Sequence, residues 1–302
     1  MSTAAQNRID IEAELQAAID ANTLHLHYQP KADLQSGEIV GMEALLRWQH
    51  PTHGLIPPTV FIPAAENSEL IVRLGDWVIQ QVCADIVNWL AAGVSPPSVA
   101  INISPVQLQD PGLTSRLSHM LQAQNLISAQ VSLEITENVL MYRSENIDKA
   151  FSDFKQKGYV LALDDFGTGY SALSYLKHFP FDYVKIDKSF IKEIPHNPDD
   201  VSITKAVIAM AHSLGIKVIA EGVETDAQCK FLSDNMCDQI QGHFFSRPIN
   251  AEQMQALLKD RPVLDKHLLR MGKPDRTLLL VDDEPNILNA LKRLLLLICT
   301  EN

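Results

Sequence analysis

Cysteine is scarce in this 302-residue sequence, and its four cysteines form no C-x-x-C motif. Thiols without such a pattern are typical of a reduced protein, so we expect a cytoplasmic location. The first residues contain no apolar core that could act as a signal peptide. Long hydrophobic runs are missing too, since the most apolar late segment, 291–298, is too short to span a bilayer. We therefore expect no membrane partner.

Positive charge is in deficit, because 25 lysines and arginines face 37 aspartates and glutamates, giving a formal net charge of −12. The resulting field opposes nonspecific binding to DNA, RNA or anionic membranes, so no nucleic-acid partner is expected. A phosphate substrate would need cations to hold it against that field. Hydrophobic residues at 46% and charged residues at 21% are ordinary for a soluble globular protein. The length allows one barrel-sized domain or two smaller ones.

Apolar periodicity predicts helices and strands that alternate along most of the chain. An amphipathic helix over 9–21 precedes two strands, 24–30 and 38–48, and the short turn between these strands makes them an antiparallel hairpin. Further strands are predicted over 98–104, 131–137, 159–165, 183–187, 217–222 and 239–245, and helices over 61–93 (broken at Asn67-Ser68), 113–124, 146–157, 170–178, 203–214 and 226–235. Six strand–helix repeats after a hairpin favour a closed (β/α) barrel, and an open doubly wound sheet remains possible.

Two adjacent carboxylates, Asp164 and Asp165, end the apolar strand within 159–171. Since side chains alternate along a strand, only one of the pair is expected on the buried face, with the other at the start of the loop. For an isolated Asp-Asp pair, a solvated turn or helix cap is the commoner explanation. Similarly, His25 and His27 share one strand face that more often faces solvent than a metal, and Gln29 is the better candidate for ligand contact.

Polar side chains recur at the carboxyl ends of successive predicted strands. In a barrel these ends meet at one face, where the fold carries its chemistry. They are Glu43, Asn102, Glu134 with Glu137, Asp164 with Asp165, Lys185 with Asp187, Glu221 with Glu224, and Gln241. So many hard oxygen ligands suit two ions of Mg²⁺ or Mn²⁺ that share an aspartate, while the shortage of histidine and cysteine here disfavours zinc. Two such ions, about 3.5–4 Å apart, are suited to hydrolysis of a phosphodiester, with Lys185 as the lone cation of the set.

These residues also form a recognisable series of motifs: Glu43-Ala44-Leu45 with Arg47, Asp164-Asp165-Phe-Gly-Thr-Gly-Tyr-Ser, Lys185-Ile-Asp187 and Glu221-Gly-Val-Glu224. The series resembles the EAL-domain cyclic di-GMP phosphodiesterases of bacteria over residues 24–249. The resemblance implies a (β/α)8 TIM-like barrel with an antiparallel first strand. It further implies hydrolysis of cyclic di-GMP to linear pGpG and assembly as a homodimer.

The resemblance also implies roles for single residues. Ligands to one metal would be Glu43, Asn102, Glu134 and Asp164, and ligands to the second Asp164, Asp165 and Glu221. Lys185 and Glu221, which with Glu43 form the expected catalytic set, match residues that place or deprotonate the attacking water, and either could be the base. Gln29 and Arg47 would contact phosphate, Gln241 the substrate end, and Glu137 the loop after Asp165, while Asp187 and Glu224 belong to the signature motifs.

Two other functions stay open at this point. A receptor could bind cyclic di-GMP without cutting it, although a pure binder has no need to hold so many carboxylates together. A barrel glycosidase would use a glutamate pair, which leaves the aspartate pair and Lys185 without a role.

The C-terminal part of the chain has a different character. We expect the phosphodiesterase barrel over 1–260 and a linker over 261–275, which contains Pro262, Gly272 and Pro274. The segment 276–302 resembles the first strand and helix of a response-regulator receiver domain, with Asp282 and Asp283 matching its acidic pair. One strand and one helix cannot close a doubly wound sheet, so this incomplete fragment is not expected to switch alone.

Overall fold

Eight strands close into a barrel in the computed structural model, which describes residues 3–141, 144–167, 176 and 179–270. In chain order the strands are β1 Leu24–Asp33, β2 Ile39–His50, β3 Gly54–Ile56, β4 Ser98–Ile103, β5 Val131–Thr136, β6 Val160–Phe166, β7 Tyr183–Ile186, β8 Lys217–Glu221, β9 Gln239–Gln241 and β10 Ile249–Asn250. The ring runs β1-β2-β4-β5-β6-β7-β8-β9 and returns to β1. The two remaining strands, β3 and β10, extend β2 and β1 outside the ring.

The strand directions confirm the predicted barrel. β1 is antiparallel to both of its neighbours in the ring, β2 and β9, whereas every other neighbouring pair in the ring is parallel. The open sheet is therefore excluded. In the hairpin Gln29 pairs with Glu43 and His25 with Arg47, which sets the polar inner faces of the two strands side by side.

Helices pack outside the barrel. They are α1 Thr3–Asp20, α2 Pro58–Glu66, α3 Leu70–Ala91, α4 Pro105–Leu108, α5 Leu113–Ala123, α6 Glu145–Gln156, α7 Lys188–Ile191, α8 Pro198–Ser213, α9 Asp226–Asp234 and α10 Ala251–Asp260. The predicted break at Asn67-Ser68 is confirmed. α8 begins five residues before its predicted start because Asn197 caps it, accepting from the Asp199 backbone N–H at 2.9 Å. The helix predicted over 170–178 falls almost wholly outside the described residues.

The last barrel strand is shorter than predicted. β9 ends at Gln241, since the chain then passes so close to the backbone of Val223 that a Cβ at Gly242 would lie 2.1 Å from its carbonyl oxygen. Phe245 and Ser246 both donate backbone bonds to the Gly242 carbonyl, which closes a turn where the sequence predicts continued strand.

Two hydrophobic clusters hold these layers together. The larger one lies between the barrel strands and the surrounding helices. The smaller one joins α1, α2 and α3 to β2 around Trp48 and Phe61, whose ring centroids are 5.5 Å apart. A buried polar contact also links barrel and helix, as the Tyr28 hydroxyl donates to Asp85 on α3 at 2.5 Å.

The first ten residues of the predicted linker pack on the barrel. Leu264 and Leu268 are buried, the Leu264 N–H donates to the Gly37 carbonyl, and Arg270 pairs with Asp238 at 3.3 Å. The predicted fragment over 276–302, with Asp282 and Asp283, lies outside the described residues, so the division into domains stays a prediction. Within the described part of the chain, no helix is both long and apolar enough to cross a membrane.

Candidate active site

A bulge in β6 places two carboxylates opposite one lysine. Leu163 pairs with Val184 and Phe166 with Ile186, so Asp164 and Asp165 together face the single residue Lys185 on β7. Asp165 adopts a left-handed backbone conformation, with φ of +55°. As expected from the sequence, only Asp164 of the pair is buried, while Asp165 is half-buried; the bulge nevertheless interrupts the strand alternation and lets both carboxylates face the site.

Lys185 is the centre of the site. Its side chain is fully buried, and its Nζ lies 2.5 Å from Glu134, 2.6 Å from Glu221, 3.2 Å from Asp164 and 3.4 Å from Glu43. An ammonium group has three protons, so it cannot donate to all four carboxylates at once. Lys185 is thus shared among acidic groups that outnumber its donors.

Amide side chains complete the inner wall of the barrel. Glu43 accepts from Asn102 Nδ2 at 2.7 Å and from Gln241 Nε2 at 2.6 Å. Gln241 also donates to Gln29 at 3.2 Å, and Gln29 in turn donates to the Ser246 carbonyl at 3.1 Å. Glu43 is therefore held on both oxygens, and the residues expected to contact substrate surround it.

A second buried lysine was missed by the sequence analysis. Lys31 is only 5% exposed, and its Nζ donates to Glu134 Oε1, the oxygen that Lys185 leaves free. Counting Lys185 as the lone cation is therefore wrong. The alternation of side chains along a strand could have identified it, because Lys31 lies two residues after Gln29 and therefore shares its inner face.

The neighbouring lysines and amides strongly lower the pKa of Glu43. Burial alone would raise the pKa of this carboxyl, but Lys185, Lys31 and the hydrogen bonds from Gln241 and Asn102 outweigh it and lower the pKa to about 2. Glu43 is thus ionised at all ordinary pH values.

Other carboxyl groups of the site shift the opposite way. Burial raises the pKa of Glu221 to about 8, with Lys185 opposing and Asp164 adding to the rise. Burial also raises the pKa of Asp164 and Asp165, and Asp187 adds to the rise at Asp165. The pKa of Lys185 lies well above its ordinary value, since the surrounding carboxylates outweigh the cost of burying its charge. The carboxyl groups of raised pKa in this centre can therefore bind either protons or metal cations.

Glu137 contacts the loop that follows the aspartate pair. Its Oε2 accepts from the Gly167 backbone N–H at 2.9 Å, and Gly167 has φ of +98°. A side chain at Gly167 would meet the ring of Phe190 at 2.8 Å, so glycine fits this position for both reasons. The contact agrees with the anchoring role expected of Glu137, which stays a prediction.

The signature residues Asp187 and Glu224 do not join the cluster. Asp187 caps α7, accepting from Ser189 N–H at 2.9 Å. The Glu224 side chain is 64% exposed at the rim of the site. Their positions predict indirect effects on the centre, such as the influence of Asp187 on the pKa of Asp165.

Two neighbouring depressions open over this end of the barrel. A cavity of about 360 Å³ is lined by residues of the cluster, among them Glu43, Asp164 and Glu221. A neighbouring groove of about 560 Å³, called the basic groove below, is lined by His25, His27, Arg47, His243 and Arg247, together with Gln49, Leu55 and Pro248. His243 lines both. The two histidines predicted to face solvent thus border a groove beside the acidic cavity, as does Arg47.

The donor set fits divalent cations. Ligand oxygens of Asp164, Asp165 and Glu221 all lie within 4.8 Å of one another. Carboxylate oxygens at this spacing are the ligands that Mg²⁺ and Mn²⁺ prefer. Glu43, Asn102 and Glu134 lie next to this group through their contacts with Lys185 and with each other.

Comparison with known proteins places this geometry in a family. The model of the EAL domain matches residues 12–248. This chain belongs to the EAL-domain family. The EAL domain is 40% identical over 256 residues to the bifunctional diguanylate cyclase/cyclic di-GMP phosphodiesterase MucR of Pseudomonas aeruginosa, covering 85% of this chain and 37% of MucR. It is 40% identical to the cyclic di-GMP phosphodiesterase NbdA of the same organism, covering 84% of this chain and 33% of NbdA. The chain therefore spans about a third of the length of these relatives.

Solved structures resemble the barrel closely. The PaMucR phosphodiesterase in complex with c-di-GMP matches with a TM-score of 0.77 at 40% identity, over 81% of this chain and 99% of that chain. The EAL enzyme Bd1971, bound to cAMP and cyclic di-GMP, matches with a TM-score of 0.80 at 32% identity, over 85% and 70%. These structural neighbours share the barrel fold of this chain.

Proposed function

We propose that this EAL domain is a phosphodiesterase that hydrolyses cyclic di-GMP to linear pGpG with two divalent cations. The observation that carries the proposal is the bulge in β6, which directs two aspartates toward Lys185 and brings their oxygens near those of Glu221. A fold does not need such a costly group of buried carboxylates. The relatives named as cyclic di-GMP phosphodiesterases support the choice of substrate.

Six side chains would hold the cations. Glu43, Asn102, Glu134 and Asp164 would bind one, and Asp164, Asp165 and Glu221 the other. Bound Mg²⁺ or Mn²⁺ would polarise the scissile phosphate and lower the pKa of the attacking water.

The residues of the chain would handle the proton and the phosphate charge. Water adds to phosphorus, the bond to the 3′ oxygen breaks, and that oxygen takes up a proton. In the cation-free site burial raises the pKa of Glu221 to about 8. A cation bound beside it would lower this pKa, so Glu221 would be ionised and able to accept a proton from the attacking water. Lys185 has four carboxylates in reach and three protons to donate, so one proton would become available for the phosphate or the water once two of these carboxylates turn to the cations.

Substrate contacts would come from the two depressions. Gln29 and Gln241 border the acidic cavity, and Arg47 lines the basic groove beside it. Arginine in such a groove binds phosphate well, because its planar donors match phosphate oxygens. This arrangement places positive charge beside the acidic cavity of a protein whose formal net charge is −12.

Turnover in vitro tests the proposal. The protein is incubated with cyclic di-GMP and Mg²⁺ or Mn²⁺, with and without EDTA, and products are separated by chromatography. We expect pGpG, no pGpG with EDTA, and a loss of at least about 100-fold in Glu221→Gln, in keeping with removal of one catalytic group. Glu252→Gln, an exposed change on α10, is the matched control.

Two outcomes would contradict the proposal. Binding of cyclic di-GMP without product would favour the receptor function instead. A rate unaffected by EDTA would exclude the role of the cations.

The homodimer and the cytoplasmic location stay predictions. Sedimentation of the protein with and without cyclic di-GMP tests whether the homodimer forms.

A further inference from the structure

Lys31 has no role in the expected catalytic set, yet it reaches the middle of the site. We propose that Lys31 is a positioning residue that holds Glu134 in place for divalent-cation binding. This inference rests on the proposed function, in which Glu134 is a cation ligand.

The barrel is built so that Lys31 can reach Glu134. On the inner face of β1, Lys31 pairs with Gly41 of β2 and with Gln241 of β9. Gly41 has no side chain, and the Lys31 stem lies beside it, with Cδ 3.6 Å from where a Cβ would stand. The lysine therefore extends past Gly41 across the barrel to β5.

The contact is buried on both sides. The side chain of Lys31 is 6% exposed and that of Glu134 fully buried. A lysine is rarely placed in a barrel interior unless a charge there is needed, because an apolar residue would fill the space at less cost in desolvation. Lys31 must therefore be explained by what its ammonium does to Glu134.

The two oxygens of Glu134 have different partners. Oε1 accepts from Lys31, and Oε2 accepts from Lys185 at 2.5 Å. Lys185 is shared with Glu43, Asp164 and Glu221, whereas among the described residues the ammonium of Lys31 forms its ion pair with Glu134 alone. A cation that takes Oε2 competes with Lys185 only, and Lys31 keeps Oε1 fixed.

Two physical effects of Lys31 on cation affinity have opposite signs. As a mere positive charge near the site, it would repel a cation, so its removal would tighten binding. As an orienting partner of a ligand, its removal would weaken binding, typically by about 10–100-fold. The sign of the change therefore separates a positioning role from a purely electrostatic one.

The test is Mn²⁺ binding to the full chain, measured by calorimetry without substrate. We expect Lys31→Met to weaken Mn²⁺ binding about tenfold and Lys31→Arg to restore most of it. Lys230→Met, which removes an exposed lysine paired with Asp234, is the matched control and should leave affinity unchanged. Thermal unfolding in EDTA shows whether each variant is folded, and if Lys31→Met is not, Lys31→Leu, which also lacks a donor, replaces it. Unchanged or tighter binding in a folded variant overturns the proposal.

A double-mutant cycle tests that Lys31 acts through Glu134. In the Glu134→Gln background, Lys31→Met should change Mn²⁺ affinity less than about twofold, whereas independent effects would repeat the full loss. With substrate present, Lys31→Met should lower kcat at limiting Mn²⁺. At saturating Mn²⁺ kcat should return to the wild-type value, and the KM for cyclic di-GMP should be unchanged.

Failure of the inference can be told apart from failure of the proposed function. Wild-type protein that makes no pGpG while Lys31→Met still loses Mn²⁺ affinity would refute the phosphodiesterase alone. Wild-type turnover with unaltered Mn²⁺ binding in Lys31→Met would refute the positioning role alone.

Discussion

Asp165 holds a left-handed backbone conformation directly across the sheet from Lys185. The unfavourable backbone angle falls on an aspartate, and aspartate tolerates the left-handed region better than most residues. This conformation places a second carboxylate on the same side of the sheet as Asp164. The site thus depends on one bulged residue as much as on the identity of the acids around it.

Asp165→Asn should separate the carboxylate from the backbone angle. Asparagine also tolerates the left-handed region, so we expect an unfolding midpoint close to that of the wild type. Turnover should fall at least about 100-fold because a cation ligand is lost. Asp165→Val should in addition destabilise the fold by about 1–2 kcal/mol, since a β-branched side chain is strained at this angle. Equal stability of the two variants by urea denaturation would contradict the bulge argument.

Lys185→Met should destabilise the protein strongly when no cation is present. Removal of the ammonium leaves Glu134, Glu221 and their neighbours buried without their shared partner, and loss of one member of a buried ion pair typically costs about 3–5 kcal/mol. We expect this loss at pH 7 in EDTA, measured by urea denaturation. Added Mg²⁺ should recover part of it because cations replace the missing charge, and a variant insensitive to Mg²⁺ would argue against cation binding here.

Glu137→Ala should lower both turnover and Mn²⁺ affinity. The change removes the acceptor of the Gly167 N–H and so releases the start of the loop next to Asp165. Glu137→Gln keeps an acceptor oxygen and should retain most of both properties, which makes it the matched control. Turnover and affinity unchanged in Glu137→Ala would refute the anchoring role.

Tyr28 and Asp85 should give stability a pH dependence away from the site. Burial raises the pKa of Asp85 above its ordinary value, so the contribution of this group is present below about pH 4 and is lost as the pH rises through the folded-state pKa. Asp85→Asn, which cannot ionise, should therefore gain stability relative to the wild type as the pH rises above 4. Urea denaturation at several pH values checks this sign.

Tyr28→Phe examines the same contact from its other side. It removes the donor that bonds Asp85 at 2.5 Å and leaves the carboxylate half-satisfied. We expect a loss of about 2 kcal/mol, within the range for hydrogen bonds to charged groups. A loss below about 0.5 kcal/mol would mean that water replaces the hydroxyl.

Sequence patterns predict the barrel because strand and helix periods are local. The antiparallel β1 follows from a short turn, and the break at Asn67-Ser68 follows from turn-forming residues. The bulge at Asp164-Asp165 could not be predicted, since it depends on the register in which β6 pairs with β7 in the folded sheet. The end of β9 at Gln241 likewise depends on a close approach to Val223.

The candidate site was predictable in composition but not in its pairing. Strand ends identified Glu43, Asp164 and Glu221, and the structure brings them around Lys185. Lys31 was missed because the first strand was predicted to end at residue 30, whereas β1 continues to Asp33 and so includes Lys31. Which oxygen of Glu134 meets which lysine is a matter of three-dimensional packing that no spacing reveals.

The reversed direction of β1 has a mechanical consequence. Its first residues, beside Arg47, lie at the rim of the site, so α1 joins the barrel on the face that carries the carboxylates. Asp20 of α1 pairs with Arg73 at 2.7 Å, and Leu15 and Ile19 pack in the cluster around Trp48. A displacement of α1 therefore acts directly on β1, whose residues His25 and His27 line the basic groove. In a barrel with a parallel first strand, the same force would arrive at the opposite end and have to cross the whole molecule.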